Sequence, residues 1–156
     1  MIIQLIYIGR DKKNIYTELE NTFFNRIKHY STFKITGLSP PIYPKSISTN
    51  EIKKKESQLI QPYLEKPTTN ILLDEKGKHY TSIQFADLLN NKMIISKDIN
   101  FIVGGAYGFS EEIKKKADSI LSLSKMTMPH HLARLVLVEQ LYRAFTILKN
   151  EKYHNN

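Results

Sequence analysis

The sequence predicts an α/β domain built on a mainly parallel sheet flanked by helices. Three observations predict it. Short runs rich in Ile, Leu and Val alternate with longer stretches whose apolar residues recur every three or four positions, which is how strands alternating with crossover helices read. Asn or Ser stands where several of those helices open, and Gly or Asp follows several strands. The chain has 156 residues and is 41% hydrophobic, a length and composition suited to one domain with its own core, taken here as residues 1–156.

In chain order, Ile2 to Ile8 is β-branched and stops at Gly9, a strand. Asn14 can cap a helix in which Ile15, Leu19, Phe23, Ile27 and Tyr30 recur at helical spacing. Phe33 to Leu38 is a second strand, and Ser39-Pro40-Pro41 with Pro44 then excludes both helix and central strand. Thr49 to about Leu64 is a polar helix with Ile52, Leu59 and Ile60 on its apolar side. Asn70 to Leu73 is a short strand ending in a turn, Asp74-Glu75-Lys76-Gly77-Lys78. Ser82 caps a helix through Leu89, Asn100 to Val103 is the next strand, and Ser110 caps a helix carrying Glu111 and Glu112. Ile120 to Leu123 is the last strand, and a helix from Pro129 to about Lys149 closes the domain. No internal repeat, linker or low-complexity segment interrupts this order.

Composition narrows the function classes. Without cysteine there is no disulfide framework, thiol nucleophile or thiolate metal site. His130 and His131 are adjacent and point different ways, and His29 and His79 do not complete a metal site. The apolar N-terminus lacks the basic region of a signal peptide, and no run is long enough to span a membrane, so a soluble cytoplasmic protein is expected. The formal charge of +8 favours a polyanionic partner. The runs Lys53-Lys54-Lys55 and Lys114-Lys115-Lys116 fall in helices, where solvated faces and RNA contacts explain them equally well.

The last third carries the chemistry. Gly104-Gly105-Ala106-Tyr107-Gly108 follows a strand, but its spacing matches neither the dinucleotide fingerprint nor the phosphate loop that ends in Lys-Ser/Thr. Two readings remain: backbone approaching a ligand, or a strand-to-helix turn needing positive φ. Leu121 to Met128 offers backbone groups beside apolar side chains, a setting for a purine ring, and equally reads as a strand edge with its connection. On the final helix Leu137, Leu141, Phe145 and Leu148 form one stripe, with Leu132, Leu135 and Val136 opposite. Such a helix has two surfaces to bury, the sheet and a second subunit. Between the second set lie Glu139, Arg143 and Thr146, a polar strip suited to an interface. Arg134 projects into the first stripe, where a buried salt bridge or a covered aliphatic stem would accommodate it. By composition the tail at Tyr153-His154 is disordered.

Taken together, Leu73-Asp74-Glu75 with Gly77-Lys78, Phe101 through Gly108, Leu121 through Pro129-His130, and Glu139 to Ala144 with Tyr153-His154 resemble one family in order and over essentially the full length. It is the RlmH family of the SPOUT superfamily, which methylates N3 of a pseudouridine in large-subunit ribosomal RNA. Lys152 stands where the family usually has proline. The resemblance implies a C-terminal deep trefoil knot, a homodimer, S-adenosylmethionine as methyl donor and the ribosome as partner, with neither metal nor membrane involved. By position it assigns Leu73, Gly104, Gly105 and the segment Leu123, Ser124, Lys125, Met126, Thr127 and Met128 to the cofactor. On this resemblance His154 with Tyr153 is expected to assist removal of the N3 proton, with Arg143 stabilising the anion or holding the tail and His130 the second candidate base. A non-catalytic RNA-binding or ribosome-assembly module of the same fold is the competing expectation.

Overall fold

The computed structural model describes residues 1–10, 13–95 and 98–155. Strands and helices alternate throughout: β1 (Ile2–Ile8), α1 (Ile15–Ile27), β2 (Thr32–Leu38), α2 (Thr49–Leu64), β3 (Thr69–His79), α3 (Ser82–Ile95), β4 (Ile99–Val103), α4 (Glu111–Lys116), β5 (Ser119–Ser122) and α5 (His130–Leu148). The strands form a single 5-stranded sheet in the order β2-β1-β4-β3-β5, and every pairing is parallel. All strand C-terminal ends therefore share one edge of the sheet.

The period of two divides the apolar residues between the faces. Ile3 and Leu5 of β1, Ile71 of β3 and Phe101 of β4 pack with α1, α3 and α5 through Ile27, Leu89 and Leu141. Ile6, Leu72 and Ile102 point the other way, onto Ile60 of α2, Ile113 of α4 and Phe109 in the loop before α4. β4 is buried along its whole length, as a central strand covered on both faces must be. Helix α5 lies between α1 and α3, so part of its second apolar side is covered within one chain. Leu132, Leu135 and Val136 remain half-buried there.

Capping fixes where the helices begin. The Asn14 side chain accepts from the Tyr16 and Thr17 amides at 2.9 and 3.1 Å, and Ser48 and Ser110 do the same for α2 and α4. At α3 the cap is Thr81 instead of Ser82. Its hydroxyl accepts from the Gln84 amide at 3.2 Å while Gln84 accepts from the Thr81 amide at 2.9 Å, a reciprocal capping box. α3 also runs past Leu89 to Ile95, because Met93 still packs against the core.

The stretch 74–78 is not a free turn. β3 continues through it and meets β5 a second time, Lys78 beside Leu121 and His79 beside Ser122, after an irregularity that begins at Leu73. The turn-like composition serves close approach: a Cβ on Gly77 would sit 2.7 Å from the Leu121 carbonyl carbon and 2.8 Å from that of Ile120. Backbone cannot yield there as a side chain would. Gly77→Ala is expected to lower stability by about 1–3 kcal/mol, measured as a lower urea midpoint at unchanged slope. Among the described residues no helix is long and apolar enough to cross a membrane.

Candidate functional site

A cavity of about 350 Å³ opens at the C-terminal ends of β3 and β4 and is closed by the loop between β5 and α5. That edge is where open α/β sheets place ligands, and the volume is of ligand size.

The loop after β4 shapes one wall. Gly104 lies on the Phe109 ring, where a Cβ would come within 3.2 Å, and a Cβ on Gly105 would come within 2.4 Å of the Glu56 carboxyl. Gly108 has φ of 72° and donates its amide to the Gly105 carbonyl at 3.0 Å. Gly108 supplies the positive φ that the turn reading asks for, and Gly104 and Gly105 line the cavity.

The loop after β5 forms the opposite wall. Ser122 donates to the Ser124 carbonyl and Met126 donates its amide to the Ser124 hydroxyl, both at 2.9 Å, so two serines curl the chain back on itself. Thr127 then donates to Glu75 at 2.8 Å, tying this loop to the continuation of β3. Across the rim Lys114 pairs with Asp74 at 3.1 Å. Burial alone would raise the Asp74 carboxyl, yet the Lys76 amide and the Lys114 ammonium hold it below its ordinary range.

Leu73, Gly104, Gly105 and Leu123 line the cavity, and Ser124, Met126, Thr127 and Met128 line it from the loop. Lys125 does not: it sits exposed between them, its side chain outside the lining. Asp74 and Glu75, beside Leu73 in the family motif, also line the cavity. So do Lys53 and Lys114, which no local pattern placed there because α2 and α4 meet the strand ends only in the fold. His130 opens α5 at the cavity. Burial, then the charges of His131 and Arg134, push its imidazole below the ordinary histidine value, so it is neutral at pH 7. Among the described residues no cluster of His, Asp and Glu is placed to hold a metal ion.

Arg143, Tyr153 and His154 gather elsewhere. From His130 to Arg143 the helix spans about 20 Å at about 1.5 Å per residue, so they do not meet the cavity of their own chain. There they form a compact group. Arg143 pairs with Glu139, its guanidinium lies 4.6 Å from the Tyr153 ring, and Tyr153 donates to Glu139 at 3.0 Å. Tyr153 also sets its edge to Tyr142 with centroids 4.7 Å apart, and His154 Nδ1 is 3.4 Å from Arg143. Upstream, Tyr30 donates to Glu151 at 2.6 Å, and burial with that carboxylate raises its phenol to about 12. The tail is thus anchored and not frayed. Aromatic and cation–π contacts from α5, with the hydrogen bond from Tyr30 after α1, hold it, which its own composition could not show.

Comparison with known proteins identifies this architecture. Residues 1–154 match the sequence profile of predicted SPOUT methyltransferases. The chain belongs to the SPOUT methyltransferase family. Relatives of this SPOUT methyltransferase include the ribosomal RNA large subunit methyltransferases H of Parabacteroides distasonis, 44% identical over 156 residues, and of Malacoplasma penetrans, 45% identical over 157. Each alignment covers 99% of both chains. Among solved structures, a probable methylase family protein from Haemophilus influenzae superposes with a TM-score of 0.54 at 13% identity, over 99% of this chain and 70% of the other, a likeness of fold.

Proposed function

We propose that this SPOUT methyltransferase methylates N3 of a pseudouridine in large-subunit ribosomal RNA on the assembled ribosome in the cytoplasm, with S-adenosylmethionine as donor. The observation that carries the reading is a ligand-sized cavity at the strand ends of a chain that matches large-subunit methyltransferases from end to end. The residues fit that donor. Leu73, Leu123 and Met128 offer apolar walls to a purine, the glycine loop lets backbone reach it, and the Asp74 and Glu75 carboxylates suit a cationic ligand with ribose hydroxyls. S-adenosylmethionine, when bound, supplies an electrophilic methyl group. In this reading the whole chain is one SPOUT domain, and the segment after β5 passes through a deep trefoil knot, consistent with its packing against the ends of β3 and β4.

The protein's own work is orientation and proton management. The imide N3 of pseudouridine carries a hydrogen, and its lone pair attacks only once that proton is leaving. His154 with Tyr153 and Arg143 forms the first candidate group, and neutral His130, at the cavity, is the second candidate base. Since one chain holds these apart, we infer a homodimer in which the tail of one subunit serves the cavity of the other. Half-buried Leu132, Leu135 and Val136 on α5, flanked by exposed Ile15 and Leu19 on α1 and Ile83 on α3, supply the apolar surface for it.

Labelled methyl transfer tests the reading on ribosomes lacking the modification, on free large-subunit RNA and on ribosomes lacking the pseudouridine. Label is expected only in the first. Cofactor binding with no label anywhere would favour the non-catalytic module. Binding to the ribosome is expected to weaken steeply with salt. If His130 accepts the proton, activity falls only as pH drops through a value below that of an ordinary histidine, and His130→Ala abolishes that limb of the pH–rate profile.

A further inference from the structure

On α2, Ile52, Glu56 and Ile60 follow one another at helical spacing on the buried side of the helix, so a carboxyl stands in an apolar stripe. Glu56 is 6% exposed, and its Oε2 has no hydrogen-bond partner among the described residues. A carboxylate left so is costly to bury, and burial raises its pKa. The facing groups are few. The Tyr43 hydroxyl, also buried and without a partner among the described residues, lies near enough for Glu56 to raise its phenol after burial. Lys53 stands one turn away at the cavity, and the neighbouring Ser57 is engaged with Ser110 at 2.8 Å.

What Glu56 does touch is the cavity wall. Its carboxyl rests on Gly105, in the space a Cβ would occupy. The loop it backs has unused donors: Gly108 is bonded to the Gly105 carbonyl, whereas the amides of Ala106 and Tyr107 carry no hydrogen bond among the described residues. A carboxyl oxygen of α2 without a partner thus rests against Gly105, and the two exposed residues after Gly105 carry amides that no described residue accepts. We propose that Glu56 is a positioning residue of the cofactor cavity, its carboxyl accepting the Ala106 and Tyr107 amides when a ligand settles the loop. This rests on the cofactor reading above. Glu56 acts through the loop: its own side chain is outside the lining of the cavity.

The role predicts opposite signs for stability and binding. Glu56→Gln keeps the shape and one neutral acceptor, and Glu56→Met keeps the volume with none. Both relieve a buried carboxyl that lacks a partner, so both are expected to raise the thermal midpoint, Met at least as much as Gln. S-adenosylhomocysteine, titrated by calorimetry, is expected to bind about tenfold more weakly to the Gln variant and about a hundredfold more weakly to the Met variant, the range for a hydrogen bond to a charged group. Hydrogen exchange at Ala106 and Tyr107 should slow on ligand binding in the wild type and not in the Met variant. A wild type that binds no analogue overturns the cofactor reading and this inference with it. Wild-type binding that the variants match, or variants whose binding and thermal midpoint fall together, overturns this inference alone.

Discussion

Replacing Arg134 by methionine is expected to destabilise the fold by about 3–5 kcal/mol, the range for removing one member of a buried ion pair. Arg134 is 2% exposed and pairs at 2.5 Å with Glu20, which is equally buried. Its guanidinium also lies 3.5 Å from the Tyr7 ring, so one side chain joins α5 to α1 and to β1. Without it the Glu20 carboxylate stays buried lacking this cation, which is why the loss exceeds the net worth of the pair. Glu20→Leu combined with Arg134→Met removes both charges and should regain most of the stability in urea unfolding. A double variant no more stable than the single one would sink this account. Arg134 stands one turn from His130 and lowers its pKa, so Arg134→Met should also move the acidic limb of the pH–rate profile upward. The pH dependence of stability has a definite sign. Because the folded His130 binds its proton less readily than the unfolded one, stability falls as pH drops below the ordinary histidine value, and the effect vanishes above it.

Much of this architecture was legible from local signals, because local signals caused it. The strands at Ile2–Ile8 and Ile99–Val103 are β-branched runs, and Asn14, Ser48 and Ser110 start their helices by hydrogen bonds within three residues. What local pattern misread was set by distant partners. The charged stretch after Leu73 is strand because β5 lies against Gly77, and α3 continues past Asn90 and Asn91 because Met93 finds the core. The site divides in the same way. The glycines and the loop before α5 stood out as unusual sequence. The runs holding Lys53 and Lys114 fitted solvated helix faces and RNA contacts equally well, and only the fold brings these two residues to the cavity. Glu56 left one sequence trace, an acidic residue between two isoleucines at helical spacing, and its meaning depends on Gly105, far along the chain. The tail shows the limit most plainly, since its order comes from Glu139, Tyr142 and Tyr30 and from nothing in Tyr153-His154 itself.

A chain ending at Lys152 is expected to fold, to bind the cofactor and to transfer methyl groups at least a hundredfold more slowly, the lower range for loss of a positioned acid–base group. The fold should survive because the tail lies on α5 through a few half-exposed contacts and contributes nothing to the buried clusters. Cofactor binding should survive because Tyr153 and His154 are outside the lining of the cavity. Loss of rate with retained binding then says that the tail acts on the nucleotide. The decisive arm mixes two inactive chains. One lacks the tail but has an intact cavity; the other has its tail but carries Leu73→Arg, which fills the cavity. If the tail serves the partner's cavity, subunit exchange creates one complete site per mixed dimer, and activity returns in the mixture though neither chain has it alone. If the tail folds back onto its own cavity, the mixture stays inactive. Geometry favours the first outcome, since the length of α5 between His130 and Arg143, about 20 Å, is a rigid spacer that the anchored tail does not cross.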